Sequence, residues 1–200
     1  CADDTLHAGG TIAISDGTIT ALSGDDGIHS DTELTITGGT IDIQKSYEGL
    51  EGVNINIEGG NISIVASDDG INVNDSNGLL NITAGTTYVN ARGDGLDSNG
   101  SITMSGGTVL VDGPTSNGDG ALDYDYTANI TGGTLVTAGS SGMVQAITAS
   151  DNKSTLNLYF TETQKANTLV SITDESGNLV CAYKPTKDFQ NIVIYNSDIL

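Results

Sequence analysis

The chain lacks tryptophan and has only two prolines, two cysteines and six basic residues among its 200 positions. Two cysteines so far apart in the sequence exclude a disulfide framework. Acidic residues outnumber basic ones 26 to 6, and the formal charge of -20 repels phosphate backbones and anionic lipid headgroups. No apolar run is long enough to cross a membrane. We therefore expect neither nucleic acid as a partner nor insertion into a membrane.

Glycine is abundant, with 27 residues, and Thr, Ile, Val and Asn recur between the glycines. This composition is typical of a β protein with many tight turns, and no segment shows helical periodicity beyond a turn or two. The length is enough for one sizeable core. Negative charge is concentrated in residues 1–150, where Lys45 and Arg92 are the only bases. This part of the chain therefore favours cations as partners.

Two motifs recur along the chain with one period. An acidic turn returns at intervals of 22, 22, 21, 25 and 25 residues, and a glycine-rich turn of the GGT type keeps the same rhythm. We call the recurring acidic residues the anchors, and they are Asp4, Asp26, Glu48, Asp69, Asp94 and Asp119. A fixed period of twenty-odd residues indicates a solenoid.

Residues between these motifs alternate apolar and polar, which is the period of a strand with one buried face. Aligning the repeats places like residues in columns, of which one is Ile14, Ile36, Ile57, Ile82, Met104 and Ile130. Three short strands per repeat predict an all-β fold. Residues 1–150 are expected to form a right-handed parallel β-helix of about six coils, with neighbouring coils about 4.8 Å apart.

The rhythm changes after residue 150. Residues 151–200 are predicted to form a C-terminal strand and hairpin segment, with ESGN as the hairpin turn, that caps the last coil or packs along the helix. An outward column of the repeats becomes apolar at Leu110 and Val136, and we expect the segment to pack there. Cys181 lies in the alternating run LVCAY and is expected to be a small buried residue.

A second outward column stands beside the anchors and consists of His7, His29, Glu51, Asn72, Asp97 and Asp123. Carboxylates about 5 Å apart on adjacent coils repel one another unless a cation neutralises them. Calcium takes six to eight oxygen ligands, which Asp, Glu and Asn on consecutive coils can supply. The sequence therefore predicts several Ca²⁺ ions. The candidate ligands are Asp4, Asp25, Asp26, Glu48, Glu51, Asp68, Asp69, Asn72, Asp94, Asp97, Asp119 and Asp123, with Asp75 and Asp125 as additional loop acids.

Each of these assignments has a simpler alternative. Asp and Asn also close turns through hydrogen bonds to their own backbone, with glycine supplying the required dihedral angle. The glycine after an anchor would either let the backbone approach an ion or take a positive φ. His7 and His29 are either ligands of a softer metal or ordinary surface residues.

Several runs, among them KSYEGLEG, NISIVASDDGIN, GDGLDSNGSITMSGGTV and NGDGALDYD, resemble the carbohydrate-binding domain-containing β-helix proteins found on the surface of polysaccharide-degrading anaerobic bacteria. The resemblance covers essentially the whole chain. It implies a fold similar to that of pectate lyases, calcium along the helix, an extracellular or cell-surface location, and binding of cellulose or pectic acid. Full-length members have preceding repeats and a signal peptide, so the chain resembles the C-terminal part of one.

Tyr47, Tyr124 and Tyr126 flank the acidic turns and are candidates to stack on sugar rings, with packing at the coil corners as the alternative. Without tryptophan, a strong aromatic platform for crystalline cellulose is not expected. A lyase would need calcium together with a base, for which Lys45 and Arg92 are the candidates. Both bases can equally pair with the surplus carboxylates.

The sequence thus favours a non-catalytic, calcium-loaded β-helix that binds plant cell-wall polysaccharide outside the cell. Two alternatives stay open. One is a calcium-dependent, pectate-type polysaccharide lyase. The other is a structural adhesin or filament, because the uncovered first coil would allow end-to-end self-association. Cys1 could be the lipid-bearing cysteine of a mature lipoprotein. A useful tether would, however, need a longer spacer between that cysteine and the first repeat.

Overall fold

The computed structural model describes residues 2–150 and 153–197, and these residues form eighteen β-strands and no helix. Cys1 and its suggested lipidation lie outside the described residues. No helix capable of crossing a membrane occurs in the part of the chain that is described. The predicted all-β class is confirmed.

The strands in chain order are β1 (Leu6–Ala8), β2 (Ile12–Ile14), β3 (Thr18–Leu22), β4 (Ile28–Ile36), β5 (Thr40–Ser46), β6 (Leu50–Ala66), β7 (Ile71–Val73), β8 (Leu79–Ala91), β9 (Leu96–Ser98), β10 (Ser101–Met104), β11 (Thr108–Asp112), β12 (Ala128–Ile130), β13 (Thr134–Gly139), β14 (Thr148–Ala149), β15 (Leu156–Gln164), β16 (Val170–Thr173), β17 (Leu179–Tyr183) and β18 (Phe189–Asn196).

Equivalent strands of successive coils pair in parallel and form three stacks. The first stack contains β1, the beginnings of β4 and β6, β7 and β9. The second contains β2, the end of β4, the middle of β6, the beginning of β8, β10, β12 and β14. The third contains β3, β5, the ends of β6 and β8, β11 and β13. This is the predicted parallel β-solenoid, and β14 begins a seventh coil.

The predicted inward columns form the core. Ile36, Ile57 and Ile82 are register partners on consecutive coils and are almost fully buried. Each coil buries its apolar residues against the same residue type above and below, so the stack removes apolar surface from water along its whole length. Leu6, in the first coil, pairs with Ile28 and is 37% exposed.

Two kinds of glycine shape the coils for different reasons. The second residue of every GGT-type turn has a positive φ, for instance 89° at Gly39, which L-residues with a side chain rarely adopt. The glycine after an anchor does not have a positive φ, so that one of its two expected roles is wrong. A Cβ on Gly49 would lie 2.3 Å from the Gly70 carbonyl oxygen and 2.4 Å from Ile64 Cγ2. Glycine is required there because the next coil and the core occupy the space.

Two of the C-terminal strands, β18 and β15, extend the third stack beyond β13. β18 pairs antiparallel with β13, and β15 pairs antiparallel with β18. Val136 is buried in a second apolar cluster with Phe189, Ile192 and Ile194, and Leu110 packs against its margin. β16 and β17 form the predicted hairpin, and Cys181 in β17 is buried as expected. The division of the chain into two units at residue 150 stays a prediction.

Candidate functional site

The second outward column is stacked in register along the first strand stack. Each member follows an inward apolar residue in its strand, so its side chain lies on the outer face. Direct strand pairing joins successive members from the first coil to the fifth, and the bridge between Leu96 and Leu122 brings the sixth alongside. The joined residues are His7, His29, Glu51, Asn72 and Asp97, followed by Asp123.

The anchor carboxylates bind the main chain of the next coil. The hydrogen bonds run from Asp26 N to Asp4 Oδ1 (2.9 Å), Glu48 N to Asp26 Oδ1 (3.2 Å), Asp94 N to Asp69 Oδ1 (2.6 Å) and Gly120 N to Asp94 Oδ1 (2.5 Å). The turn-closing role is therefore real, but it operates between coils rather than within a turn. Two anchors differ. The Glu48 carboxylate accepts a hydrogen bond from the Asn72 side chain at 2.9 Å, and the Asp119 carboxylate accepts one from the Ser116 hydroxyl at 3.4 Å.

Burial raises the pKa of five carboxyl groups in these two columns, and the negative charge of neighbouring carboxylates adds to the effect in each. The pKa rises to about 8 for Asp26, to about 7 for Glu48, Asp69 and Asp97, and to about 6 for Asp94. Hydrogen bonds from main-chain N–H groups oppose the rise at Asp26, Asp69 and Asp94 without cancelling it, and the Asn72 side chain does the same at Glu48. A column of this kind holds protons or binds cations near neutral pH.

Asp69, Asp94 and Asp97 form an all-carboxylate group whose nearest oxygens lie within 4.8 Å of one another. Asn72, the register partner of Asp97, donates its amide N–H to Glu48, while its amide oxygen is buried without a hydrogen-bond partner. This buried oxygen lies one coil from Asp97 and can take a hydrogen-bond donor or a cation as its partner. Oxygen ligands of this type fit a hard cation such as Ca²⁺.

Histidine takes part in two further groups at the first coils. Asp4, His7 and His29 offer ligand atoms within 4.8 Å of one another, and so do Asp26, His29 and Glu51. The two imidazole rings are stacked, with centroids 4.7 Å apart. The hydrogen bond from His7 to Asp31 is the largest cause that raises the pKa of His7. Mixed nitrogen and oxygen donors suit a softer metal, so this alternative stays open.

The other predicted ligands are more dispersed. Asp25 joins Asp3 and Asp4 in a fourth group of close carboxylates. Asp123 accepts hydrogen bonds from the Gln145 side chain and from the Tyr124 main chain. The remaining candidates belong to no group of three close ligands among residues 2–150 and 153–197, and they are Glu48, Asp68, Asp75, Asp119, Asp123 and Asp125.

The three candidate tyrosines differ in exposure. Tyr47 is 48% exposed and Tyr126 is 62% exposed. Tyr124 packs against the core, and its hydroxyl donates to the Ala146 carbonyl at 3.1 Å. Tyr124 therefore packs at a coil corner, whereas the rings of Tyr47 and Tyr126 are accessible to a ligand.

Lys45 and Arg92 lie in one surface depression of about 270 Å³, with Ser46, Ala66 and Ser67 on its wall. The sequence reasoning missed a third base, Lys187. It lines a neighbouring depression of about 440 Å³ together with Arg92, Thr115 and Ser116. Nothing in the local sequence marks Lys187, because only the return of the C-terminal segment along the solenoid brings it to Arg92.

A family model described as "carbohydrate-binding domain-containing protein" matches residues 1–49 and 26–197. The two matches overlap over residues 26–49, as expected for a repeat that can align in more than one register. No curated protein and no solved structure matches the chain. The family match spans nearly the whole β-solenoid, and the chain therefore belongs to the family of carbohydrate-binding domain-containing proteins.

Proposed function

We propose that this protein binds plant cell-wall polysaccharide outside the cell without cleaving it, and that Ca²⁺ in the acidic columns takes part in binding. Family membership implies a polysaccharide ligand. The observation that carries the calcium part is the Asp69, Asp94 and Asp97 group with the unpartnered Asn72 oxygen beside it. A uronate-containing glycan such as pectic acid is the preferred ligand, with cellulose as the less favoured one.

The charges explain why a cation would be needed. A chain with a formal charge of -20 repels a polyuronate. Calcium bound at Asp69, Asp94 and Asp97 would supply the positive charge that attracts the carboxylates of the glycan. The exposed rings of Tyr47 and Tyr126 flank the acidic turns and offer apolar faces to sugar rings.

One incubation tests this proposal. Calcium-loaded protein is mixed with polygalacturonate, and both co-sedimentation of the complex and the absorbance of unsaturated product are followed, with a chelator as control. We expect co-sedimentation that the chelator abolishes, without product. Absence of binding in calcium would contradict the proposal and leave a structural role for the solenoid.

A calcium-dependent polysaccharide lyase is the second candidate, and a specific observation favours it. Lys45 and Arg92 share one depression, and Gly93 joins Arg92 to the anchor Asp94. A polysaccharide lyase needs a cation that binds the uronate carboxylate and a nearby base that removes the proton next to that carboxylate. Unsaturated product that disappears in Lys45→Ala or Arg92→Ala, while binding persists, would favour the lyase over the binder.

A further inference from the structure

We propose that Arg92 and Lys187 form a subsite for a carboxylate of an acidic sugar, in the depression between the fifth coil and the C-terminal segment. The inference rests on the proposed function in assuming an acidic glycan, and it adds a contact that needs no metal. The depression has a volume of about 440 Å³, and Thr115 and Ser116 complete its lining.

The two cations in this depression form no ion pair with a carboxylate of the described residues. Among the described residues, no carboxylate oxygen lies within 4.0 Å of either side chain, although acids greatly outnumber bases in the chain; the one Lys or Arg ion pair joins Lys165 to Asp188. The charge of the buried Asp112 acts on Lys187 without forming an ion pair with it. Arg92 and Lys187 still repel each other, and an anion between them relieves that repulsion. The pair is thus suited to an anionic ligand.

Lys187 is held in place by contacts around it. The buried Asp112 carboxylate accepts hydrogen bonds from the main chain and hydroxyl of Thr186, at 2.9 and 2.5 Å, and from the hydroxyl of Tyr183 at 2.8 Å. These bonds fix the backbone next to Lys187. Its ammonium group donates to the Ala91 carbonyl, directly before Arg92.

Burial is the largest cause that lowers the pKa of Lys187 to about 8, the charge of Asp112 opposes the fall, and the charge of Arg92 adds to it. A bound carboxylate would favour the charged form of the lysine. The position of Lys187 is therefore costly for a cation in the free protein and favourable once an anion is present.

The hydroxyl groups that line the depression, and its position on the solenoid, fit a sugar rather than a simple ion. Thr115 and Ser116 belong to the insertion before the last acidic turn and bring two hydroxyl groups to the depression. Arg92 also lines the depression that contains Lys45, so the two depressions adjoin at Arg92. On the other side, Gly93 adjoins the carboxylates of Asp68 and Asp69. A glycan lying along the coils would meet both the acidic columns and this basic pair.

The test uses a short acidic sugar in chelator, where calcium does not contribute. Binding of trigalacturonate and of its methyl ester is measured by calorimetry for the wild type, Arg92→Gln, Lys187→Gln and Lys187→Arg. Lys184→Gln is the matched control, since it removes the charge of an exposed lysine nearby in the sequence. Melting temperatures establish that every variant is folded.

We expect trigalacturonate to bind more tightly than its methyl ester. Arg92→Gln and Lys187→Gln should each weaken binding by about tenfold, because a charge-assisted hydrogen bond is lost, and Lys184→Gln should leave it unchanged. Lys187→Arg should keep most of the affinity. Equal binding of acid and ester, or no binding to the wild type, would overturn the subsite.

The same variants separate this inference from the proposed function. Calcium-dependent sedimentation with polygalacturonate that is equally strong in Arg92→Gln and Lys187→Gln would leave the proposed function intact and refute the subsite. Trigalacturonate binding in chelator that depends on both residues, without any effect of calcium on the polymer, would support the subsite and refute the calcium part of the function.

Discussion

The Asp69 carboxylate accepts a 2.6 Å hydrogen bond from the main-chain N–H of Asp94, which is the corresponding anchor of the next coil. The same two residues contribute oxygens to the all-carboxylate group with Asp97. Asp69 therefore joins neighbouring coils and is also a candidate cation ligand. The first role needs only a hydrogen-bond acceptor, whereas the second needs negative charge, so substitutions can separate them.

Asp69→Asn should remove the response to calcium while preserving the coil contact. An amide oxygen can still accept from Asp94 N–H, and the loss of a half-buried charge relieves repulsion with Asp94 and Asp97. In chelator we expect the variant to be at least as stable as the wild type. Added calcium should raise its melting temperature less than that of the wild type, because ligation stabilises only a native state that binds the ion. Thermal melts with and without calcium measure both effects.

Two comparison variants make this result interpretable. Asp69→Ala also loses the acceptor, and we expect it to be destabilised by about 1–3 kcal/mol even in chelator. Asp16→Asn removes an exposed acid of a GGT-type turn and should respond to calcium like the wild type. An unchanged calcium response in Asp69→Asn would rule out this group as the ion site.

Stability in chelator should fall as pH rises from about 4 to about 8. Burial raises the pKa of Asp26 to about 8 and of Asp94 to about 6, from an ordinary value of 3.8. Within that window the folded protein binds more protons than the unfolded chain, so this stabilisation is complete below pH 4 and lost as pH rises through the folded-state pKa values. Excess calcium should remove most of the slope. Melting temperatures measured at pH 5 and pH 8 test this prediction. A melting temperature that rises with pH in chelator would contradict raised carboxyl pKa values in the folded protein.

Gly49→Ala should destabilise the solenoid strongly. The added methyl group would meet the Gly70 carbonyl oxygen and the Ile64 side chain at less than van der Waals distance, and overpacking of this kind costs about 1–3 kcal/mol or more. Gly118→Ala is the matched control, because nothing lies within 4 Å of its Cβ position. Urea unfolding of both variants measures the difference. Similar stability of the two would mean that the coils separate easily at the anchor turns.

The solenoid could be predicted from the sequence because each residue of a coil stacks on the equivalent residue of the next coil, so the same residue type recurs at a fixed period. The column through Ile36, Ile57 and Ile82 repeats in the sequence and is buried in the structure. The outward column with Asn72 and Asp97 follows from the same alternation. A period and a strand pattern together determine both faces of a parallel stack.

Contacts that do not follow the period could not be derived in this way. Lys187 meets Arg92 only because β18 runs back along β13. Gly49, which follows the anchor Glu48, was expected either to let the backbone approach an ion or to take a positive φ. Its requirement instead comes from atoms of the next coil, which are distant in sequence. Likewise, nothing local distinguishes the packed ring of Tyr124 from the exposed ring of Tyr126.

Tyr126→Ala should weaken binding of polygalacturonate by several-fold, whereas Tyr124→Phe should not. The ring of Tyr126 is largely exposed, and an aromatic face on a sugar contributes about 0.5–1.5 kcal/mol. The hydroxyl of Tyr124 donates a hydrogen bond to the Ala146 carbonyl, so removal of this hydroxyl affects stability rather than binding. Sedimentation titrations of both variants in calcium give the comparison. Equal affinity of Tyr126→Ala and the wild type would exclude stacking at this position.

Asp112→Ala should loosen the C-terminal segment from the coils. The buried carboxylate accepts hydrogen bonds from Tyr88, Tyr183 and Thr186, and its removal leaves donors without partners inside the protein. We expect a loss of about 3 kcal/mol in the free energy of unfolding. Limited proteolysis should cut within residues 153–197 before the repeats, while Glu58→Ala, which removes an exposed acid, should behave like the wild type. Because Lys187 follows Thr186 directly, Asp112→Ala should also weaken trigalacturonate binding in chelator, although it does not touch the depression. Proteolysis of the segment at the wild-type rate would show that the strand pairing of β13 with β18 holds it without Asp112.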